Sequence, residues 1–248
     1  MQNVRLYENA RIDRKVGSGN QYRMTRMDFE IKNIKKSYGK KTPLRDVCFS
    51  VATSQCVGIL GKNGSGKSTL ISILAGVQRR DGGELLMDGE DIFRDGRRLA
   101  DTVGYVPQGT PLLEELSARD NLLLWYDKKT LEAELRGGVL KMLGIDEFID
   151  VTVKKMSGGM KKRLSIGCSV AKKPSLLLLD EPCAALDLVC KQSINSYLKD
   201  FKAEGGSIVL ATHDESELEL CDVIYILKDG ILHKYDYDGD IDRLTRML

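Results

Sequence analysis

The chain has 248 residues, 42% hydrophobic and 30% charged, with a formal net charge of +2. It is too apolar and too evenly charged for a disordered chain, and it lacks the cationic excess of a histone-type nucleic-acid binder. No window approaches the ~20 apolar residues of a membrane-spanning helix, and no apolar stretch of roughly 7–15 residues opens the chain as in a signal peptide. At roughly 100–200 residues per domain, this length fits one large domain, or one domain with an inserted piece.

Residues 1–26 hold six basic and two acidic side chains, no apolar periodicity and the run Gly17-Ser18-Gly19-Asn20. They read as a disordered extension, with Met24 or Met27 as alternative starts. The other reading, a basic arm for anionic lipid or nucleic acid, fits scattered charges less well than clustered ones. The remaining residues, 27–248, carry a net −2.

From Phe29 the pattern becomes regular. Phe29, Ile31 and Ile34, then Val47, Phe49 and Val51, alternate like strands of a half-buried sheet. The apolar run at 56–60 reads as a strand buried on both faces, followed by a glycine-rich turn and a helix over about 67–76. Residues 84–87 and 103–106 read as further strands. Residues 109–156 show helical patterns only: Ser117 and Asp120 form a capping-box pair opening a helix through Trp125, and 130–143 reads as one helix weakened at Gly137-Gly138. Apolar runs at 176–179, 207–210 and 223–227 alternate with helical stretches. The class is α/β with a mostly parallel central sheet and a helical insert. The six cysteines (48, 56, 168, 183, 190, 221) show no CxxC spacing, and most sit in apolar runs, so they read as reduced core residues of a cytosolic protein.

Three short segments carry chemistry. Gly61-Lys62-Asn63-Gly64-Ser65-Gly66-Lys67-Ser68 matches GxxxxGK[ST] and lies between a strand and a helix, as a phosphate-binding loop must. Its glycines let backbone N–H groups point at phosphate oxygens, and the helix N-terminus adds positive potential. Lys67 is placed to reach the β- and γ-phosphates and Ser68 to ligate Mg²⁺. Leu176-Leu177-Leu178-Leu179-Asp180-Glu181-Pro182 ends a buried strand in two carboxylates, where an open α/β sheet has its ligand crevice. Asp180 suits Mg²⁺ and Glu181 suits a base polarising an attacking water. His213 follows another strand, within reach of a γ-phosphate if that strand neighbours the other two, although a lone histidine is as often a satisfied polar residue.

A second glycine-led helix start, Met156-Ser157-Gly158-Gly159-Met160, lies between the insert and the leucine strand. In this order and spacing, the loop at 61–68, the SGG element, LLLLDEP and the Ala211-Thr212-His213-Asp214 segment resemble the ATP-binding cassette (ABC) transporter ATPase domain over essentially all of 27–248. The resemblance implies a P-loop NTPase (RecA-like) core over 27–108 and 157–248, an N-terminal antiparallel β subdomain and a helical subdomain over 109–156. It implies ATP and Mg²⁺ as the bound species, with catalysis by Glu181, His213, Lys67 and Gln108. Tyr38 falls where the family stacks an aromatic ring on adenine, and Gly61, Asn63, Gly64, Ser65, Gly66, Lys67, Ser68 and Thr69 form the nucleotide loop. Gln108 matches the glutamine loop that contacts Mg²⁺ and senses the membrane partner, so the implied metal set is Ser68, Gln108 and Asp180. Ser157, Gly158 and Gly159 match the signature motif, which binds the γ-phosphate held by the opposite subunit, and Asp187 lies in the loop that crosses the dimer.

The implied partners are a separate transmembrane permease, met near Gln108 and 112–125, and a second ATP-binding subunit, identical or different; no nucleic acid is expected. The implied location is cytoplasmic, peripheral on the inner face of the cell membrane. The family's usual Gln after SGG is Met160 here, and Cys183-Ala184 replaces the commoner Thr-Ser or Thr-Ala after DEP. Lys161-Lys162-Arg163 resembles subunits of small exporters with separate permeases, which favours export over import, though a solvated helix face is the plainer reading. The chain ends soon after the core strands, so no regulatory C-terminal domain is expected. The alternatives are a soluble ABC ATPase acting on nucleic acid or the ribosome, and a phosphotransferase on the same loop.

Overall fold

The structure is a computed structural model and describes residues 28–212 and 214–247. The extension expected at 1–26, and His213, lie outside the described residues. The strands are β1 (Phe29–Tyr38), β2 (Lys41–Val51), β3 (Cys56–Leu60), β4 (Gly82–Met87), β5 (Glu90–Asp91), β6 (Val103–Val106), β7 (Leu176–Asp180), β8 (Ser207–Ala211), β9 (Val223–Lys228) and β10 (Ile231–Tyr235). The helices are α1 (Lys67–Leu74), α2 (Gly96–Thr102), α3 (Ala118–Leu123), α4 (Lys128–Gly137), α5 (Val139–Met142), α6 (Gly158–Ser169), α7 (Leu188–Ala203), α8 (Glu215–Leu218) and α9 (Ile241–Met247).

Two sheets carry these elements. The first, β2-β1-β4-β5, is antiparallel, with Phe29 opposite Val51 and Ile31 opposite Phe49. Its period-two burial follows the sequence pattern, because successive side chains of a strand point to opposite faces. The second sheet runs β10-β9-β3-β8-β7-β6, parallel except for β10 at one edge. Every residue of β3, β7 and β8 is buried, since this sheet is covered on both faces.

The two faces of β7 explain the four leucines. Leu177 and Leu179 pack with Ile208 and Leu210 against α6, α7 and the helical insert. Leu176 and Leu178 pack with Val57, Ile59 and Val209 toward α1 and the antiparallel sheet. Each fully buried leucine contributes about 1.5–3 kcal/mol of apolar transfer. The parallel register pairs Val106 with Leu179, Leu179 with Leu210, and Ile59 with Ala211. The carboxyl ends of β3, β8, β7 and β6 therefore stand side by side, and the loops leaving them share one edge.

In the insert, Ser117 and Asp120 do form a capping box at α3. The single helix expected over 130–143 is two helices. Asp127 caps the first, accepting from Lys129 and Thr130 amides, so α4 starts earlier than expected. The chain then breaks at Gly138, which is extended (φ −103, ψ −158). The Glu134 carboxylate occupies the space a side chain at 138 would take and accepts from Val139 N at 2.8 Å, opening α5. Short edge strands β5 and β10 and helix α2, capped by Asp95, add to the elements read from sequence. All six cysteines are free thiols, but the core reading fails for Cys48, which is exposed: it lies between the buried Val47 and Phe49 on β2 and faces out.

Candidate functional site

β3 delivers the chain into the 61–68 loop, and α1 starts at Lys67. Gly64 (φ 79) and Gly66 (φ 110) take left-handed backbone that an L side chain resists. A Cβ on Gly66 would also lie 2.9 Å from Pro43 O, so only glycine fits there. Gly66 stands directly before α1, so the helix's first amides adjoin the loop. Lys67 is 5% exposed and folds back along the loop, its Nζ donating to Gly61 O at 2.7 Å and to Lys62 O at 3.2 Å. Burial lowers the pKa of this ammonium; the neighbouring Glu181 and Asp180 carboxylates partly oppose the shift. Ser65 Oγ is buried with no hydrogen-bond partner among the described residues.

Asp180, the last residue of β7, is 2% exposed, and burial raises its pKa against the hydrogen bond from Ser68. Its Oδ1 is buried without a partner among the described residues. A hydroxyl and an unsatisfied buried carboxylate oxygen side by side fit a hard divalent cation with oxygen ligands. Glu181, the next residue, has left-handed backbone (φ 49), and its N–H donates to Ala211 O at 2.8 Å. Its Oε2 accepts from Gln108 Nε2 at 3.0 Å. Tyr38, Asn63, Lys67, Thr69, Gln108 and Glu181 all line one cavity of about 790 Å³. The Tyr38 ring is half exposed at its margin, and its hydroxyl accepts from the Gln78 amide. A second cavity, about 630 Å³, lies between the insert and α7 and is lined by none of the expected site residues.

Ser157, Gly158, Gly159 and Asp187 do not line the cavity of Lys67 and Glu181, and Gly159 and Asp187 both meet Cys190. Ser157 caps α6, its Oγ accepting from Met160 N at 3.2 Å. Gly159 packs on α7: a Cβ there would lie 2.3 Å from Cys190 Sγ. Asp187 caps α7, accepting from Cys190 N at 2.8 Å. That cavity thus holds the phosphate loop and Glu181 but not the glycine-led helix start or Asp187. Met160 is half buried against the core, and Cys183 is fully buried.

Two buried charged side chains escaped the sequence reading. Lys162 is not on a solvated face: it is 5% exposed, and its Nζ donates to Pro107 O at 2.9 Å and Gln108 O at 3.0 Å. Burial lowers its pKa, opposed by Asp180 and, among others, Glu181. Glu217 is 1% exposed and accepts from Cys183 N at 3.0 Å and from the Thr212 hydroxyl, linking the ends of β7 and β8. The available signal for Lys162 was helical spacing: Gly159, Lys162 and Ser165 or Ile166 recur on one buried face of α6.

A phosphate loop after the first strand of a parallel sheet, facing an acidic strand end, defines a P-loop nucleotide-binding cassette. The ABC transporter family profile matches residues 44–184, and the chain belongs to that family. It is 35% identical over 206 residues to the linearmycin resistance ATP-binding protein LnrL of Bacillus subtilis, over 81% of this chain and 66% of LnrL. It is 34% identical over 212 residues to the lantibiotic transport ATP-binding protein SrtF of Streptococcus pyogenes, over 85% of this chain and 91% of SrtF. The Nod factor export ATP-binding protein I of Rhizobium sp. is 34% identical over 212 residues, covering 84% and 70%. A solved ATP-binding subunit of an ABC transporter superposes with a TM-score of 0.75 at 26% identity, covering 88% of this chain and 92% of the other. A dimeric post-hydrolysis ATP-binding cassette bound to ADP and Pi gives a TM-score of 0.75 at 27% identity, over 84% and 98%. The chain is an ABC ATPase of the ATP-binding-subunit type.

Proposed function

We propose that this chain hydrolyses MgATP to drive a separate membrane permease, as part of an exporter. The observation that carries the reading is the meeting of Lys67, Asp180, Glu181 and Gln108 where the parallel strands end. Lys67 gives up its carbonyl contacts for the β- and γ-phosphates, helped by the amides of 63–69, and Tyr38 stacks on adenine. Glu181 accepts a proton from the attacking water and holds it in line, with Gln108 orienting the carboxylate. Asp180, Ser68 and Gln108 hold Mg²⁺, which supplies charge neutralisation on the phosphate oxygens when bound. His213, outside the described residues, is assigned to the γ-phosphate.

Ser157, Gly158, Gly159 and Asp187 are assigned to a second cassette's nucleotide. That none of them lines the cavity holding Lys67 and Glu181 supports a head-to-tail pair, each copy supplying half of each site. The exporter reading rests on the relatives, which are named for resistance, lantibiotic transport and Nod factor export. None of the described helices is long and apolar enough to cross a membrane. The insert exposes Leu113 (52%), Leu124 (61%) and Trp125 (58%), an apolar surface suited to that subunit on the cytoplasmic side. The test is phosphate release from MgATP by the purified chain, with and without nucleic acid. Hydrolysis lost in Lys67→Ala and indifferent to nucleic acid is expected; salt-sensitive stimulation by nucleic acid would overturn the transport reading.

A further inference from the structure

Helix α6 is bonded to the strand that leads to Gln108. Lys162 and Ser169 are seven residues apart, about two turns, and so face the same way. Ser169 Oγ donates to Tyr105 O at 2.7 Å, within β6. Lys162 Nζ bonds the carbonyls of Pro107 and Gln108, at 2.9 and 3.0 Å. The helix therefore runs antiparallel to β6 and extends past the end of that strand at Val106. Beyond that point, Lys162 supplies donors to two carbonyls.

A buried ammonium is a costly way to fill space, because its desolvation must be offset by hydrogen bonds and nearby charge. A methionine would occupy similar volume without that cost. Lys162 thus contributes geometry: two short bonds that fix the backbone on which Gln108 is carried. The next residue of α6 reaches in another direction. Arg163 Nη1 donates to Leu143 O at 3.0 Å, and its guanidinium lies 5.0 Å from the Phe148 ring, both in the insert. One turn of α6 therefore grips the insert and the Gln108 segment together.

We propose that Lys162 is a positioning residue for ATP hydrolysis: its bonds to Pro107 and Gln108 hold the Gln108 amide on Glu181 and couple that contact to the placement of α6 and the insert. The proposal rests on the reading above in which Gln108 and Glu181 serve hydrolysis. A displacement of α6 shifts the Pro107–Gln108 backbone with it, and the contact between Gln108 and Glu181 is lost or regained.

The test is a double-mutant cycle on the full chain, reading kcat and the dissociation constant of MgATP for Lys162→Met, Gln108→Ala and the pair. Lys162→Met is expected to lower kcat about 10-fold, with MgATP affinity within about two-fold of the parent. In the Gln108→Ala background the same change is expected to cost no more than about two-fold, because the two residues act in series. Lys162→Gln, which keeps a neutral donor, should recover part of the rate, and it carries the same cycle if Lys162→Met does not fold. A kcat within two-fold of the parent in Lys162→Met, or fully additive losses in the pair, would overturn the proposal. Unchanged hydrolysis in Gln108→Ala alone is a different result, because it removes the reading of Gln108 on which the proposal stands.

Discussion

Gln108 Nε2 donates to Glu181 Oε2 at 3.0 Å, tying together the ends of two adjacent parallel strands. The register makes the contact possible: Val106 pairs with Leu179, and each partner of the bond lies two residues further on. A neutral amide therefore rests on the carboxylate assigned as the base. Gln108→Glu would replace it with a second carboxylate at hydrogen-bond distance, and two such groups cannot both ionise freely. The Gln108 donor to Glu181 is then lost and repulsion put in its place, which should lower kcat about 10-fold. Steady-state hydrolysis by the variant checks this; a kcat within about two-fold of the parent contradicts it.

Asp180 is expected to trade stability for metal binding. Burial holds its carboxyl above the ordinary value, so the ionised form destabilises the nucleotide-free fold at neutral pH. That cost is relieved as pH falls through the raised value and is fully present above it. Asp180→Asn should raise the melting temperature of the nucleotide-free chain by about 2–4 °C, for about 1 kcal/mol, while lowering Mg²⁺-dependent hydrolysis at least ~100-fold. Thermal melts with and without Mg²⁺ measure the first part, and a lower melting temperature in the variant would count against it.

Gly159 is confined by Cys190, whose Sγ would sit 2.3 Å from a Cβ at that position. Gly159→Ala should destabilise the chain by about 1–3 kcal/mol through overpacking of α6 on α7. Adding Cys190→Ala frees the space and should recover most of that loss. Urea unfolding of both variants decides it: equal destabilisation in the single and double variants rejects the contact as the cause.

The exposed apolar residues of the insert should matter only with a permease present. Trp125→Ala and Leu124→Ala are expected to leave the fold within about 0.5 kcal/mol and the isolated chain's hydrolysis unchanged. Docking to the permease should weaken about 30-fold or more if Trp125 is a central anchor. Cross-linking from 113–125 to the permease gives the direct measurement; contact with a different face contradicts the assignment.

The local motifs were legible because their chemistry is written in adjacent residues. The loop at 61–68, the end of β7 at Asp180-Glu181 and the capping box at Ser117 each need only a short stretch of chain. Lys162 and Glu217 were not legible, because their partners lie far away in sequence: 54 residues separate Lys162 from Gln108, and 34 separate Glu217 from Cys183. Only the packing of α6 along β6, and of Thr212 and Glu217 beside Cys183, brings those groups together. The break at Gly138 was half visible as two glycines; what completes it is the Glu134 carboxylate capping α5. Cys48 was misread although the alternation of Val47 and Phe49 already turned it outward.

The most direct test of the account is Glu181→Gln, followed by phosphate release and by light scattering with MgATP. The account predicts that the variant binds ATP, loses turnover at least ~100-fold and doubles in mass only when MgATP is present. Near-normal hydrolysis by this variant would contradict the assignment of Glu181, and a monomer under saturating MgATP would contradict the paired half-sites.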